Sequence, residues 1–284
     1  MKKFLAIALA AIMLFALAAC GGNSDGDKAQ AVKVIDINLT EEEYAFGVDK
    51  AQPELLEKTN AFIEKIMKDG TFDAICNNYF GDGTPVAVES AEFDAAKDQL
   101  VVATNAAFEP FEYTEGDKYY GIDMEIAALL AKELGKELVI NNMDFDAVCL
   151  SVGQHKCDIA MAGLTVKEDR KEHVNFTNTY YEASQKLIVK GDDTAFDACT
   201  DAASVEAILK GLDKTTKVGY QNGTTGNFYV KGDADWGFDG FAAEGVGYKN
   251  GALAVQDLVN GNISYVVIDS APAACITEAI NEVA

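Results

Sequence analysis

Asp158-Ile-Ala-Met-Ala-Gly-Leu-Thr-Val-Lys-Glu-Asp-Arg170 is the stretch on which the reading of this chain turns. Its first residues, Asp158–Ala162, form a short apolar run that predicts a buried strand, and a helix is expected to start near Lys167. Arg170 is one arginine among 23 basic residues, all the others being lysine. A guanidinium grips a carboxylate through two parallel hydrogen bonds, which an ammonium cannot imitate. Arg170 is therefore a candidate anion-binding residue. The competing reading is a helix-surface arginine paired with Glu168 or Asp169.

Outward from this stretch, strands alternate with helices. Toward the amino end the pattern predicts strand Leu100–Thr104, helix Ile122–Leu134 stopped by Gly135, strand Glu137–Ile140 and a helix around Asp146–Val152. Beyond Arg170 come strand Lys186–Lys190, helix Ala203–Leu212, strand Lys217–Tyr220 and a helix near Gly226–Lys231. Helix Ala252–Asn260, strand Tyr265–Ile268 and helix Pro272–Glu282 complete this side. Such alternation indicates an α/β fold with a mostly parallel sheet in each half, and two halves imply a cleft between two lobes. Before residue 100 the chain reads differently. Strand Val34–Ile37 precedes Thr40 and Glu43, whose spacing fits a capping box. A strand Tyr44–Asp49, a helix from Pro53 to Gly70 and a shorter helix Thr71–Tyr79 follow, and residues 81–98 read as a linker.

Of the 284 residues, 49% are hydrophobic and 24% charged, enough for one or two cores. The formal charge of −23 argues against nucleic acid, because phosphates would find no partners. Met1-Lys2-Lys3, the apolar run Phe4–Ala16 and Leu17-Ala18-Ala19-Cys20-Gly21 look like a lipoprotein signal ending in a lipidated Cys20. An ordinary secretory signal is the alternative. Residues 1–20 are thus expected to be the signal and 21–33 a flexible tether. The other five cysteines, Cys76, Cys149, Cys157, Cys199 and Cys275, are odd in number and lack CxxC spacing. They read as thiols, and neither a metal nor a cofactor is expected.

Further candidates sit near strand ends. Asp269 follows the apolar strand Tyr265–Ile268 and could hold an ammonium group or cap the next helix. Gly223-Thr224-Thr225-Gly226 joins a strand to a helix and offers backbone N–H groups to an anion. It lacks the Lys-Ser/Thr pair of a phosphate-binding loop, so a carboxylate is the better guest. Phe108, Phe111, Tyr113 and Phe145 are core aromatics or, for one or two of them, pocket walls.

Together these stretches resemble extracellular solute-binding proteins of polar amino acid import systems, closest to the glutamine-binding type. The resemblance runs through Leu100-Val-Val-Ala-Thr-Asn-Ala-Ala-Phe-Glu-Pro-Phe111, Gly116-Asp-Lys-Tyr-Tyr-Gly-Ile-Asp123, Met143-Asp-Phe-Asp146, the Arg170 block, Val218-Gly-Tyr-Gln-Asn-Gly-Thr-Thr-Gly226 and Val266-Val-Ile-Asp269. Leu39–Lys50, the Pro53 helix, Gly70–Ile75 and Tyr79-Phe80-Gly81 look like that family's carboxyl-terminal end, yet here they come first. The resemblance therefore implies a circularly permuted type II periplasmic-binding-protein-like fold. It divides the chain into lobe 1, residues 44–188, and lobe 2, residues 189–284 with 34–43. The hinge strands Tyr44–Asp49 and Lys186–Lys190 are expected side by side.

The resemblance also implies a function: a lipid-anchored, extracytoplasmic protein that binds a free L-amino acid for the membrane permease of an ABC importer. Arg170, with backbone N–H groups at Thr165 and Thr225, would take the α-carboxylate. Asp269 and a carbonyl of Ala162 or Gly163 would take the α-ammonium. Asn105, Phe108, Phe145, Gln221 and Thr224 complete the ligand-binding set. The family often has an aspartate where Asn105 stands, and the glutamine binder a lysine where Gln221 stands. Losing both charges favours a neutral polar or aromatic ligand. Two rivals stay open: a dehydratase of small cyclic carboxylates on the same fold, which would need a further acid in the pocket, and a ligand-sensing surface subunit.

Overall fold

The computed structural model describes residues 30–284. The expected signal, the lipidated Cys20 and most of the expected tether lie outside those residues. In chain order the strands are β1 (Val32–Ile35), β2 (Glu42–Tyr44), β3 (Gly47–Asp49), β4 (Gln99–Thr104), β5 (Tyr113–Glu115), β6 (Lys118–Tyr120) and β7 (Glu137–Asn142), then β8 (Ile159–Ala160), β9 (Val174–Phe176), β10 (Tyr181–Ala183), β11 (Gln185–Lys190), β12 (Lys217–Gln221), β13 (Glu244–Tyr248) and β14 (Tyr265–Asp269). The helices are α1 (Pro53–Asp69), α2 (Thr71–Phe80), α3 (Ile122–Leu134), α4 (Phe145–Gly153), α5 (Glu168–Lys171), α6 (Ala202–Lys210), α7 (Thr225–Lys231), α8 (Gly251–Val259) and α9 (Ser270–Val283).

Two five-stranded sheets organise the chain, in orders β7-β4-β8-β3-β9 and β1-β11-β14-β12-β13. Strand β4 is buried at every position and pairs in parallel with β7 and β8, as a strand covered on both faces should. In the other sheet β12 lies parallel to β13 and β14, while β11 and β1 add antiparallel. The punctuation between elements is local. Pro53 opens α1 with its missing N–H where no partner is needed, and Gly70, at φ +82°, closes it in the left-handed region. Gly135 closes α3 in the same way at φ +71°.

The chain crosses between the sheets twice, through β2 and through β10, and these two strands pair antiparallel with Tyr44 opposite Tyr181 and Glu42 opposite Ala183. The expected pairing of Tyr44–Asp49 with Lys186–Lys190 is therefore corrected. The first of these segments breaks at Ala45-Phe46 into β2 and β3, and β11 pairs with β1 and β14 instead. The capping box at Thr40 is corrected too. No helix follows, and the Thr40 hydroxyl donates to Glu42 (2.6 Å) while accepting from the Gln185 amide (2.8 Å).

The segment before residue 100 is integral to both sheets, since β1 and β3 each complete one. Strand β1 starts at Val32, two residues inside the expected tether. Asn281, on α9, accepts from the backbone N–H groups of Ala31 (2.9 Å) and Val32 (3.2 Å) and donates to the Val32 carbonyl (2.9 Å). The expected linker 81–98 lies against the first sheet's side of the molecule: Val88 bridges Tyr119, and the Ala91 N–H donates to Leu138. Phe46, Phe111, Met124 and Leu130 are among the fully buried side chains around the first sheet, and Leu187, Val205, Val218 and Val267 among those around the second. Each such side chain stabilises the fold by roughly 1.5–3 kcal/mol.

Candidate functional site

Arg170 turns inward. Only 8% of it is exposed, and its guanidinium donates to the Thr165 carbonyl (2.7 Å) and to the Gly223 carbonyl (3.0 Å) on the far side of the interface. Its Cζ stands 5.1 Å from the centre of the Phe145 ring. Neighbouring Glu168 pairs with Lys171 instead, so the surface reading of Arg170 does not apply. Short helix α5 produces this geometry by placing Glu168 and Lys171 outward and Arg170 toward the interior.

Asp269 arrives from the other sheet, at the carboxyl end of β14. It makes no capping bond to α9 and accepts from the Tyr44 hydroxyl (2.5 Å) on β2. Burial, with the nearby charge of Glu42, pushes its pKa up to about 7. Glu42 is itself buried and accepts from the hydroxyls of Thr40 (2.6 Å) and Thr165 (2.9 Å) and from the Gln185 side-chain amide (3.0 Å). Arg170 and Asp269 thus reach one cluster from opposite sheets, through Thr165 on one side and Tyr44 on the other. A cleft of about 850 Å3 opens beside it, lined by Thr40, Glu42, Thr165, Ser270 and Trp236 among others.

The remaining expected residues converge on the same interface. Gln221 donates across it to the Asn105 side-chain oxygen (2.9 Å), while Asn105 donates to the Met143 carbonyl (2.7 Å). The Gln221 Oε1 is buried without a partner. Thr225 and Thr165 face each other at 3.4 Å between hydroxyls, and Thr224 folds back on the Gln221 carbonyl (2.8 Å). Ala162 and Phe108 are buried. Gly163 adopts φ +50°, and a Cβ there would stand 2.9 Å from the Phe108 ring, so glycine is needed for both conformation and space.

Three of the buried acids that escaped the sequence reading stand out. Besides Glu42, Asp123 accepts from the Gly163 N–H (2.9 Å) and the Tyr180 hydroxyl (2.6 Å), and burial raises its pKa to about 7. Glu112 is fully buried and neither carboxylate oxygen has a partner. Glu112 falls between the quoted stretches Leu100–Phe111 and Gly116–Asp123, and no local pattern marks it as buried. Among the described residues no grouping of His, Cys, Asp or Glu could hold a metal ion, the five cysteines are unpaired, and no helix is long and apolar enough to cross a membrane.

A family model described as bacterial extracellular solute-binding proteins, family 3, matches residues 100–263. The arginine-binding extracellular protein ArtP of Bacillus subtilis is 35% identical over 99 residues, covering 35% of this chain and 39% of that protein. The chain spans less than two thirds of the length of such curated relatives. Among solved structures, the ancestral amino acid-binding protein AncCDT-1, a precursor of cyclohexadienyl dehydratase, superimposes with a TM-score of 0.55 at 29% identity. That match covers 64% of this chain and 75% of the other. An ancestral arginine-binding protein bound to glutamine matches with a TM-score of 0.53 at 32% identity, covering 64% and 74%. The expected two-part α/β architecture and family resemblance are borne out.

Proposed function

The chain belongs to the bacterial extracellular solute-binding proteins, family 3, and on that premise we propose that it captures a free L-amino acid between its two sheets for the permease of an ABC importer. The observation that carries this reading is the arrival of Arg170 and Asp269, both buried and from opposite sheets, at the single Thr165–Glu42–Tyr44 cluster. One guanidinium and one carboxylate facing a shared space match the two ends of a zwitterion. In the ligand-bound state the α-carboxylate takes the guanidinium hydrogens, with backbone N–H groups at Thr165 and Thr225 assisting. The α-ammonium goes to Asp269 and a carbonyl of Ala162 or Gly163. Only a closed arrangement serves both ends, so the ligand favours closure about β2 and β10.

The side-chain end has two readings. Asn105, Gln221, Phe108 and Phe145 carry no charge and fit a neutral polar or aromatic side chain; the unpartnered Gln221 Oε1 is matched by a side-chain amide N–H such as glutamine's. A basic side chain is favoured by the unpartnered Glu112 carboxylate and is in line with relatives named for arginine binding. We further propose that the order of segments is a circular permutation, with residues 44–188 as one lobe and 34–43 with 189–284 as the other, and that Cys20 carries a lipid. The position of β1 and β3 inside the two sheets supports the first point.

Calorimetric titration of the protein without its first 20 residues against the twenty amino acids tests the function. Heat from one or a few of them, weakened by roughly 3–5 kcal/mol in Arg170→Ala because a buried carboxylate loses its partner, is the expected result. Silence across the panel would send the assignment to another class of ligand.

A further inference from the structure

We infer that Glu42 is a positioning residue of the site: from the crossing strand β2 it sets the direction of the Thr165 hydroxyl and so couples the carboxylate end of the ligand to closure. The inference rests on the amino acid reading above and adds to it a residue that does not itself hold the ligand.

A strand alternates its side chains between two faces. On β2, Glu42 and Tyr44 share the buried face, while Glu43 between them is exposed. One face of a crossing strand thus serves both ends of the proposed clamp. Tyr44 donates to Asp269 (2.5 Å), the proposed ammonium partner. Glu42 accepts from the Thr165 hydroxyl (2.9 Å), and the Thr165 carbonyl takes Arg170 (2.7 Å). The two Glu42 oxygens are divided between the sheets. Oε2 takes Thr165, on the first sheet's side. Oε1 takes Thr40 (2.6 Å) and, from β11 of the second sheet, the Gln185 amide (3.0 Å). A single carboxylate therefore ties the two parts together on the wall of the cleft, which it lines with Thr40 and Thr165.

A carboxylate has no hydrogen to offer. The Thr165 hydrogen is committed to Glu42, so the Thr165 oxygen is left to accept. The hydroxyl that faces it, at 3.4 Å, belongs to Thr225 at the start of α7. Gln185 closes the circuit: a Cβ on Gly226, the next residue of α7, would stand 3.0 Å from the Gln185 Oε1. Thr225, Thr165, Glu42 and Gln185 thus surround the place where the α-carboxylate meets the Thr165 and Thr225 backbones in the proposed complex. An amide in place of Glu42 can set an N–H against the Thr165 oxygen, which turns the hydroxyl round and leaves Thr225 facing a hydrogen. The charge has a cost, since after burial it is the main influence raising the Asp269 pKa to about 7. An uncharged acceptor would spare that cost, but it would not fix the sense of the Thr165 hydroxyl.

Calorimetric titration against the twenty L-amino acids supplies the probe: the one that binds the unaltered protein most tightly is carried into the variants. At about pH 8, above the Asp269 pKa of about 7, Glu42→Gln should raise Kd about 10-fold or more, mainly through faster dissociation. Thr165→Val, which deletes the hydroxyl and keeps the backbone N–H, should raise it comparably. The double variant should be no worse than the weaker-binding single one, because both act through one bond. In more acidic buffer the two should part. The acid limb of the binding profile moves to lower pH in Glu42→Gln, where Asp269 has lost one of its two acidic neighbours and keeps Glu112, and stays in place in Thr165→Val. A role in stability alone would lower the melting temperature and leave Kd, dissociation and the acid limb unchanged. Unchanged Kd in folded Glu42→Gln, or fully additive losses in the double variant, would overturn the inference while leaving the amino acid reading intact. If Glu42→Gln does not fold, Thr165→Val decides alone, and an unchanged Kd there overturns it. If no amino acid binds the unaltered protein, the underlying function has failed, and this inference with it.

Discussion

Replacing Lys167 with methionine should loosen ligand binding without touching the ligand. The Lys167 side chain is 2% exposed and spans the interface: its ammonium sits 3.0 Å from Asp233 and 3.5 Å from the centre of the Phe228 ring. Both partners belong to α7 and the turn after it, whereas Lys167 precedes α5. Its other contact, Asp169, lies in its own segment, is half exposed, and survives opening. A charge-assisted hydrogen bond contributes about 1.5–3 kcal/mol and a desolvated cation–π contact up to about 2. Sequestering the ammonium from water consumes much of that. Methionine keeps the volume, removes the desolvation cost, and leaves Asp233 at 18% exposure able to regain water. A net loss of about 1.5–3 kcal/mol in the closed form alone corresponds to Kd rising by roughly 10- to 100-fold. The rise should appear mainly as faster dissociation, measured by stopped-flow after calorimetry, with Asp233→Asn behaving alike and the double variant no worse than either. Unchanged Kd and dissociation in a folded Lys167→Met would refute the idea that this contact holds the two parts together.

Other outcomes follow from single features. Gly163→Ala should lose about 1–3 kcal/mol in thermal unfolding and also weaken binding, because the new methyl meets the Phe108 ring at a left-handed backbone position. The ligand-free protein should lose stability as pH rises from about 4 to 7: Asp123 and Asp269 bind protons more tightly folded than unfolded, so their contribution is whole below the ordinary carboxylate pKa and is lost through about 7. Each contributes at most about 4 kcal/mol to that fall, and Asp269→Asn should flatten the slope of melting temperature against pH. Asn281→Ala should cost about 1–3 kcal/mol through the loss of three hydrogen bonds at the start of β1, read by denaturant unfolding.

What the sequence makes legible depends on how local the cause is. Gly70, Gly135 and Pro53 mark helix ends because backbone sterics act within a residue or two, and all three stand where expected. The apolar run of β4 announces burial by itself. Strands β2 and β10 have three residues each, and the Glu-Glu-Tyr of β2 straddles the expected capping box and the start of the expected strand Tyr44–Asp49. Glu42 is buried only because Thr165 and Gln185, far away in sequence, bring donors to it. Glu112 and Asp123 are similar: their burial is decided by Tyr180, Gly163 and the rings around them. Residue chemistry offers the inward course of Arg170 as one of two readings, whereas its bond to Gly223 requires the second sheet to be in place.

The anchorage of Asn281 has a mechanical side. Traction on the chain at residue 30 meets the Asn281 side chain at Ala31 and Val32 together with the Gly191 N–H on the Ala31 carbonyl (3.0 Å), next to the four-residue ladder between β1 and β11. Asn281 behaves like a cleat on a rope. Such a pull would be absorbed at the rim of one sheet, away from the crossing strands and the cleft they border.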